Sequence, residues 1–263
     1  MKVLAHENPV CGYRMIWGML KQEGMKVNVK RVHRLWKQAG LKVAKPRTKR
    51  ARTGTSENAS HVNRAEAPND VWTYDFTFDE TREGRRLKFL VVIDEYTRQC
   101  LRIEAGRSMG AKTVVRILAE VMQTHGAPRA LRSDNGPEFI ANAVREWLAA
   151  AGVSTLHIQP GSPWENAYAE SFMSRFRPEF LSRELFNTLI EAQVPTEKHR
   201  LWHNHLRPHS SLDYQTPAQF AISCAGPSVA SAASQLRPTL TPRRWTLQKR
   251  LKRLREQELA GLP

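Results

Sequence analysis

The sequence predicts a mixed α/β sheet domain with helices on its faces, preceded by a small helix-turn-helix module. Three observations carry that reading. Two short runs of helical periodicity lie back to back near the N-terminus, a hairpin of strand-like runs opens the middle of the chain, and strands then alternate with helices. A chain of 263 residues can hold one core of this size together with small flanking modules.

The first module spans residues 1–45. Tyr13, Ile16, Trp17 and Leu20 recur at helical spacing before Gly24, and Val29, Val32, Leu35 and Trp36 do so before Gly40. Asn28 is placed as an N-cap and the two glycines as helix stops. The second helix turns Lys30, Arg31, Arg34 and Lys37 away from its apolar stripe, where a DNA recognition helix needs them. Residues 46–69 are polar and basic without apolar periodicity and read as a linker.

The core is expected over 70–225. Val71–Phe78 and Lys88–Asp94 are strand-like, with Glu83 and Gly84 near the turn between them, and Gln99–Ala105 is a third strand. A helix over Ala111–His125, a short strand ending at Ser133, a helix over Asn142–Ala151 and a strand over Ser154–Ile158 follow, which makes five strands in all. From Trp164 onward the pattern is helical. The tail, 226–263, opens with Ala, Ser and Pro and continues into a basic amphipathic stretch over Arg244–Glu258.

Charge is divided along the same boundaries. Residues 1–60 carry 14 basic and 3 acidic side chains and residues 226–263 carry 8 and 2, while the stretch between has 19 and 20, within a formal net charge of +16. Two basic arms around a carboxylate-bearing core point to nucleic acid, because phosphate neutralisation gives such arms their affinity. Cys11, Cys100 and Cys224 are odd in number and widely spaced, which argues against a disulfide framework or a cysteine zinc site. With no apolar leader and no run of membrane-spanning length, the expectation is a cytoplasmic, nucleoid-associated protein with no membrane partner.

Three acids stand out by placement: Asp75 inside the first strand, Asp134 just past a later one, and Glu170 on a helix 35 intervening residues further on. A carboxylate within a strand flanked by Trp72, Tyr74, Phe76 and Phe78 is costly to bury without a cation. Carboxylates gathered by a fold repel one another and become good ligands for a hard divalent ion. Asp79, Asp94, Glu95, Glu138 and Glu165 compete for the same role on composition alone.

The segments "WTYDF", "VVIDEYTR", "RSDNGPEF", "PGSPWENAYAESF" and "RPHSSLDYQTPAQF" resemble the integrase core of bacterial insertion-sequence transposases of the OrfB type, a branch of the retroviral-integrase-like superfamily. "CGYRMIWGMLKQEG" and "NVKRVHRLWKQAGL" resemble that family's helix-turn-helix, so the likeness covers residues 8–222. It implies an RNase H-like fold, a catalytic and metal-binding triad of Asp75, Asp134 and Glu170, and two Mg²⁺ ions that Mn²⁺ can replace. It also implies Arg177 as a phosphate-binding residue, and Asn135, Gly136 and Asn166 as supporting residues. The implied activity is cleavage and joining of double-stranded DNA at the element's terminal inverted repeats and its target, by a homo-oligomer. An upstream-frame product with a helix-turn-helix and coiled coil is a further implied partner, one whose segment this chain is expected to lack.

Departures from the family pattern generate their own expectations. Pro178 should break the helix at Arg177, Pro195 should interrupt a long helix from Leu189, and Asp213 stands where the family has glycine. The alternative they motivate is a catalytically decayed DNA-binding protein on the same fold; a plain RNase H nuclease has no need for the helix-turn-helix. His199, His203, His205 and His209 are expected on a helix and loop near DNA rather than on a metal.

Overall fold

A computed structural model describes residues 1–43, 64–134, 136, 142–157 and 166–224. Most of the expected linker, the tail from 226 onward, Asn135, Glu138 and Glu165 lie outside the described residues.

The N-terminal module contains three helices, α1 (Lys2–Glu7), α2 (Tyr13–Gln22) and α3 (Val29–Gln38). The sequence reading had missed α1, which is only six residues long. Asn28 caps α3, its side chain accepting a hydrogen bond from the Lys30 backbone N–H at 2.8 Å. Gly24 and Gly40 take the positive φ that ends α2 and α3. Ile16, Met19, Leu20, Val32 and Trp36 form the module's own core, leaving Lys30, Arg31, Arg34 and Lys37 exposed.

Five strands form one mixed sheet: β1 (Val71–Glu80), β2 (Arg86–Asp94), β3 (Cys100–Gly106), β4 (Ala130–Ser133) and β5 (Ser154–His157). Their order is β3-β2-β1-β4-β5. The first three pair antiparallel, while β4 lies parallel to β1 and β5 parallel to β4. Alternation along β1 and β2 builds two layers. Trp72, Tyr74, Leu90 and Val92 pack with α4 (Ala111–His125) and α5 (Asn142–Ala150) on one face. Phe89, Val91 and Ile93 pack on the other face, against α6 (Ala167–Glu179) and α7 (Leu189–His205). A short last helix, α8 (Pro217–Cys224), follows. Among the described residues no helix is long and apolar enough to cross a membrane.

Both proline expectations are corrected. Pro178 lies inside α6 and Pro195 inside α7, and neither helix breaks. The carbonyls deprived of an N–H partner belong to Ser174 and Glu191, both at exposed residues, where water is at hand. Meanwhile Phe172, Phe176 and Ala192 bury the opposite faces, and tertiary packing of this kind outweighs a local propensity penalty. Asp213 adopts φ 51°, the left-handed region that explains glycine at that position and that aspartate tolerates better than most residues.

The histidine expectation is also corrected for two of its members. His199 and His203 are buried among Phe172, Phe176, Phe180 and Trp202. The His203 ring Nε2 lies 3.2 Å from the Arg98 carbonyl, and His209 meets the His203 ring edge-on. Burial pushes the His199 imidazole down to about 3 and His209 to about 2, and holds His203 well below its ordinary value.

The helical module rests on the core. Gly18 lies so close to the Pro208 ring that an added Cβ would come within 2.8 Å of it, Trp17 meets Tyr214 edge-on at 5.1 Å, and Trp202 packs against the module's core. Beneath this contact Arg207 and Glu179 form a buried two-pronged ion pair, Nε to Oε2 at 2.7 Å and the second nitrogen to Oε1 at 2.6 Å.

The buried histidines make a pH prediction. Their folded pKa values lie below the unfolded value of about 6.5, so the unfolded chain binds more protons in acid. Stability is then fully present above that pH and falls below it, by about 1.4 kcal/mol per pH unit for each histidine. Urea unfolding between pH 6 and 4.5 should show this slope, and His199→Phe should reduce it by one histidine's share.

Candidate active site

The register of the central strands positions two of the singled-out acids. β1 and β4 pair from Val71↔Ala130 to Thr73↔Arg132. Asp75 and Asp134 stand at the same offset two residues further on, on the face shared with Thr73 and Arg132. Parallel neighbours are about 4.8 Å apart, so the two acids emerge side by side from the middle of the sheet. This is the face covered by α6, whose first turn carries Glu170.

Asp75 is partly buried. One of its oxygens accepts a hydrogen bond from the Phe76 N–H at 2.7 Å and the other from Asn166 Nδ2 at 3.3 Å. Asn166 occupies the N-cap position of α6 but makes no capping bond with its side chain. It is turned instead into the sheet, where its Oδ1 accepts from the Thr73 hydroxyl at 3.0 Å. The Asp134 carboxylate accepts from the Gly136 N–H at 3.0 Å.

Burial pushes the Asp75 carboxyl up to about 6, the negative charges of Asp134 and Glu170 act in the same direction, and the Phe76 and Asn166 hydrogen bonds pull against them. The three carboxylates therefore share one electrostatic environment. Among the described residues no three His, Cys, Asp or Glu side chains stand close enough together to hold one ion, and Glu170 is exposed. The donor set is nevertheless of the right kind for a hard divalent cation: all oxygen, mutually repelling, and with one member raised by burial.

Glu95, one of the competing acids, and Arg132, not singled out in the sequence, form a buried ion pair at 2.8 Å. It joins the end of β2 to β4 two residues before Asp134. Burial holds the Glu95 carboxyl above the ordinary carboxylate range even with Arg132 beside it. Asp94, another of the competing acids, spends its side chain on the backbone N–H groups of Asn69, Tyr96 and Thr97 and so has a structural use. Arg177 reaches back to β1, donating to the Phe78 carbonyl at 2.9 Å and, more loosely, to Thr77 Oγ1. A side chain that pairs only through the fold, like Arg132 with Glu95, leaves no periodic signal in sequence.

Arg132→Met should destabilise the protein by about 3–5 kcal/mol, because it strands a buried carboxylate. Adding Glu95→Leu should restore most of that loss, as read by urea unfolding. A single variant as stable as the parent would show that the pair does not hold β4 in place.

Comparison with known proteins follows the same division of the chain. Residues 65–163 match an integrase core domain family, residues 151–217 a second integrase core domain family, and residues 1–50 an HTH-like domain family. A protein of the insertion element IS407 from Burkholderia multivorans is 38% identical over 88% of this chain and 83% of its own length. The transposase for insertion sequence element IS904 from Lactococcus lactis is 29% identical over 84% of this chain and 91% of its own. Among solved structures, the HTLV-2 integrase catalytic core domain in complex with magnesium aligns with 60% of this chain and 99% of that chain, at 15% identity and a TM-score of 0.48.

Proposed function

Because the chain belongs to the integrase-core transposases of bacterial insertion elements, we propose that it cuts and joins DNA strands at the ends of such an element, using Asp75, Asp134 and Glu170. The observation that carries this reading is that Asp75 in β1 and Asp134 just past the end of β4 stand at the same offset in the register of those strands, with the charges of Asp134 and of Glu170 on the facing helix both acting on Asp75.

Asp75, Asp134 and Glu170 are the residues that would hold Mg²⁺, with Mn²⁺ as a substitute. A pair of such ions supplies activation of a water or 3′-hydroxyl nucleophile and stabilisation of the leaving oxygen. The chain's own contribution is positioning. Asn166 fixes one oxygen of Asp75 and the Phe76 N–H the other, so the carboxylate cannot rotate freely. The Gly136 N–H does the same for Asp134. Arg177 sits exposed at the rim, where its charge favours a backbone phosphate.

Binding is assigned to the basic arms. Lys30, Arg31, Arg34 and Lys37 line the exposed side of α3, the second helix of the helix-turn-helix, and recognise the terminal inverted repeats. Two ends must be cut in concert, so the working form is an oligomer on double-stranded DNA, and an upstream-frame product with its own helix-turn-helix would extend the contact.

The test is strand cleavage of a labelled duplex carrying the element's end. Nicking is expected with Mg²⁺ or Mn²⁺, none with EDTA, and none in Asp75→Asn or Glu170→Gln, while duplex affinity persists. Asn166→Ala, which frees Asp75, should lower the rate by about 10- to 100-fold. Undiminished cleavage by Asp75→Asn would refute the assignment.

A further inference from the structure

A cavity lies beside α6, on a different side of that helix from Glu170. It encloses about 230 Å³ between Met15 of the helical module, α6 and the loop Arg207–Ser211. Its walls present three arginines, Arg98, Arg175 and Arg207, and three serines, Ser171, Ser210 and Ser211. Glu170 and the triad play no part in it, and no carboxylate lines it.

The three arginines are not equivalent. Arg207 is committed to Glu179 through two nitrogens and to the Pro208 carbonyl through a third contact. Arg98 donates to the Glu95 carbonyl and lies over the Tyr168 ring, 4.0 Å from its centroid. Arg175 makes no hydrogen bond or ion pair among the described residues. It stands one turn along α6 from Ser171, on the same helix face. It stands at the mouth of the cavity, where partial desolvation and the positive charge of Arg207 weigh against its protonated form while Glu179 acts the other way. Among the described residues the Arg175 guanidinium has no hydrogen-bond partner, its neighbour Glu179 is already spent on Arg207, and the cavity wall offers hydroxyl donors and no carboxylate, a lining suited to an anion that accepts several hydrogen bonds at once.

We propose that this cavity is a phosphate-binding site, with Arg175 as its principal ligand and Ser171, Ser210 and Ser211 as hydroxyl donors, and that its occupant is a backbone phosphate of the bound DNA. Two features favour a phosphodiester over a free anion. The cavity is lined by Met15 of the helical module as well as by α6 of the core, so it lies at the junction of the module assigned to DNA binding with the helix that bears Glu170. Ser171 is also the direct neighbour of Glu170, which places the site on the helix that faces the reacting strand. The occupant rests on the transposase reading, but the site itself is read through binding rather than cleavage.

The experiment is fluorescence anisotropy of an end-sequence duplex on the full chain across a salt series, for the parent, Arg175→Gln, Arg175→Lys and a control, Arg116→Gln, on the opposite face of the sheet. A lost phosphate contact reduces the slope of log affinity against log salt by about one. Arg175→Gln should show that loss at an unchanged melting temperature, and Ser210→Ala should weaken binding without changing the slope. Arg175→Lys should keep the slope, and Arg116→Gln should match the parent. A parent-like slope in Arg175→Gln would overturn the proposal. So would competition by inorganic phosphate that Arg175→Gln abolishes without any change in duplex binding, since the site would then take a free anion. Absence of cleavage with the slope change present would count against the triad alone.

Discussion

The parallel pairing of β1 with β4 is the constraint on which the rest of the structure depends. A slip of one residue in a strand sends each side chain to the opposite face. Here it would move Asp134 to the α4 and α5 side and separate it from Asp75 by the thickness of the sheet. Two kinds of interaction hold the register. Trp72, Tyr74 and Leu131 are buried in one layer, so a shifted strand would push polar side chains into that layer. On the other face Arg132 reaches Glu95, and a slip would leave both charges buried and unpaired. The second penalty is the steeper, since an isolated buried charge costs several kcal/mol.

The same economy governs Asp75. Placing a carboxylate in a strand beside Val91 of β2 costs stability, and that cost is only partly offset by the Phe76 N–H and Asn166. Asn166 is diverted from capping α6 in order to serve Asp75, so the helix start is weakened for the sake of the site. What anchors α6 is its other end. Phe172, Phe176 and Phe180 stack along one side of it, and Glu179 locks onto Arg207. That lock also sits below the Gly18–Pro208 contact, which joins the position of the helical module to the helix that bears Glu170.

Much of this was legible in the sequence. Strand-like runs marked all five strands to within about two residues, and Ala111–His125 was read with its observed bounds, because a continuous apolar run in a strand buried on both faces, as in β2, or helical periodicity in a helix buried on one, leaves a pattern that needs no knowledge of the partner. The polar network was not legible. Glu95, one of the acids competing with the triad on composition, and Arg132, not singled out, are both buried, and Thr73, which accounts for the orientation of Asn166, gave no signal. Such pairs are made by strands that meet only after folding, so nothing local marks them. The histidines misled for a related reason: a neutral imidazole packs like an aromatic ring, and among Phe172, Phe176 and Phe180 it behaves as one.

The prolines bear on whether the site is disabled. Pro178 and Pro195 were the sequence features that motivated a decayed enzyme, and their expected effect was a broken helix and a displaced Arg177. Both helices run through them, and Arg177 still reaches β1, so that motive loses its physical basis. The relevant weakness lies at the opposite end of α6. An N-cap whose side chain does not cap forfeits about 1 kcal/mol of helix stability, and the loss falls on the turn that carries Glu170. The apolar anchors of α6 begin at Ala169 and Phe172 and hold the helix from there onward.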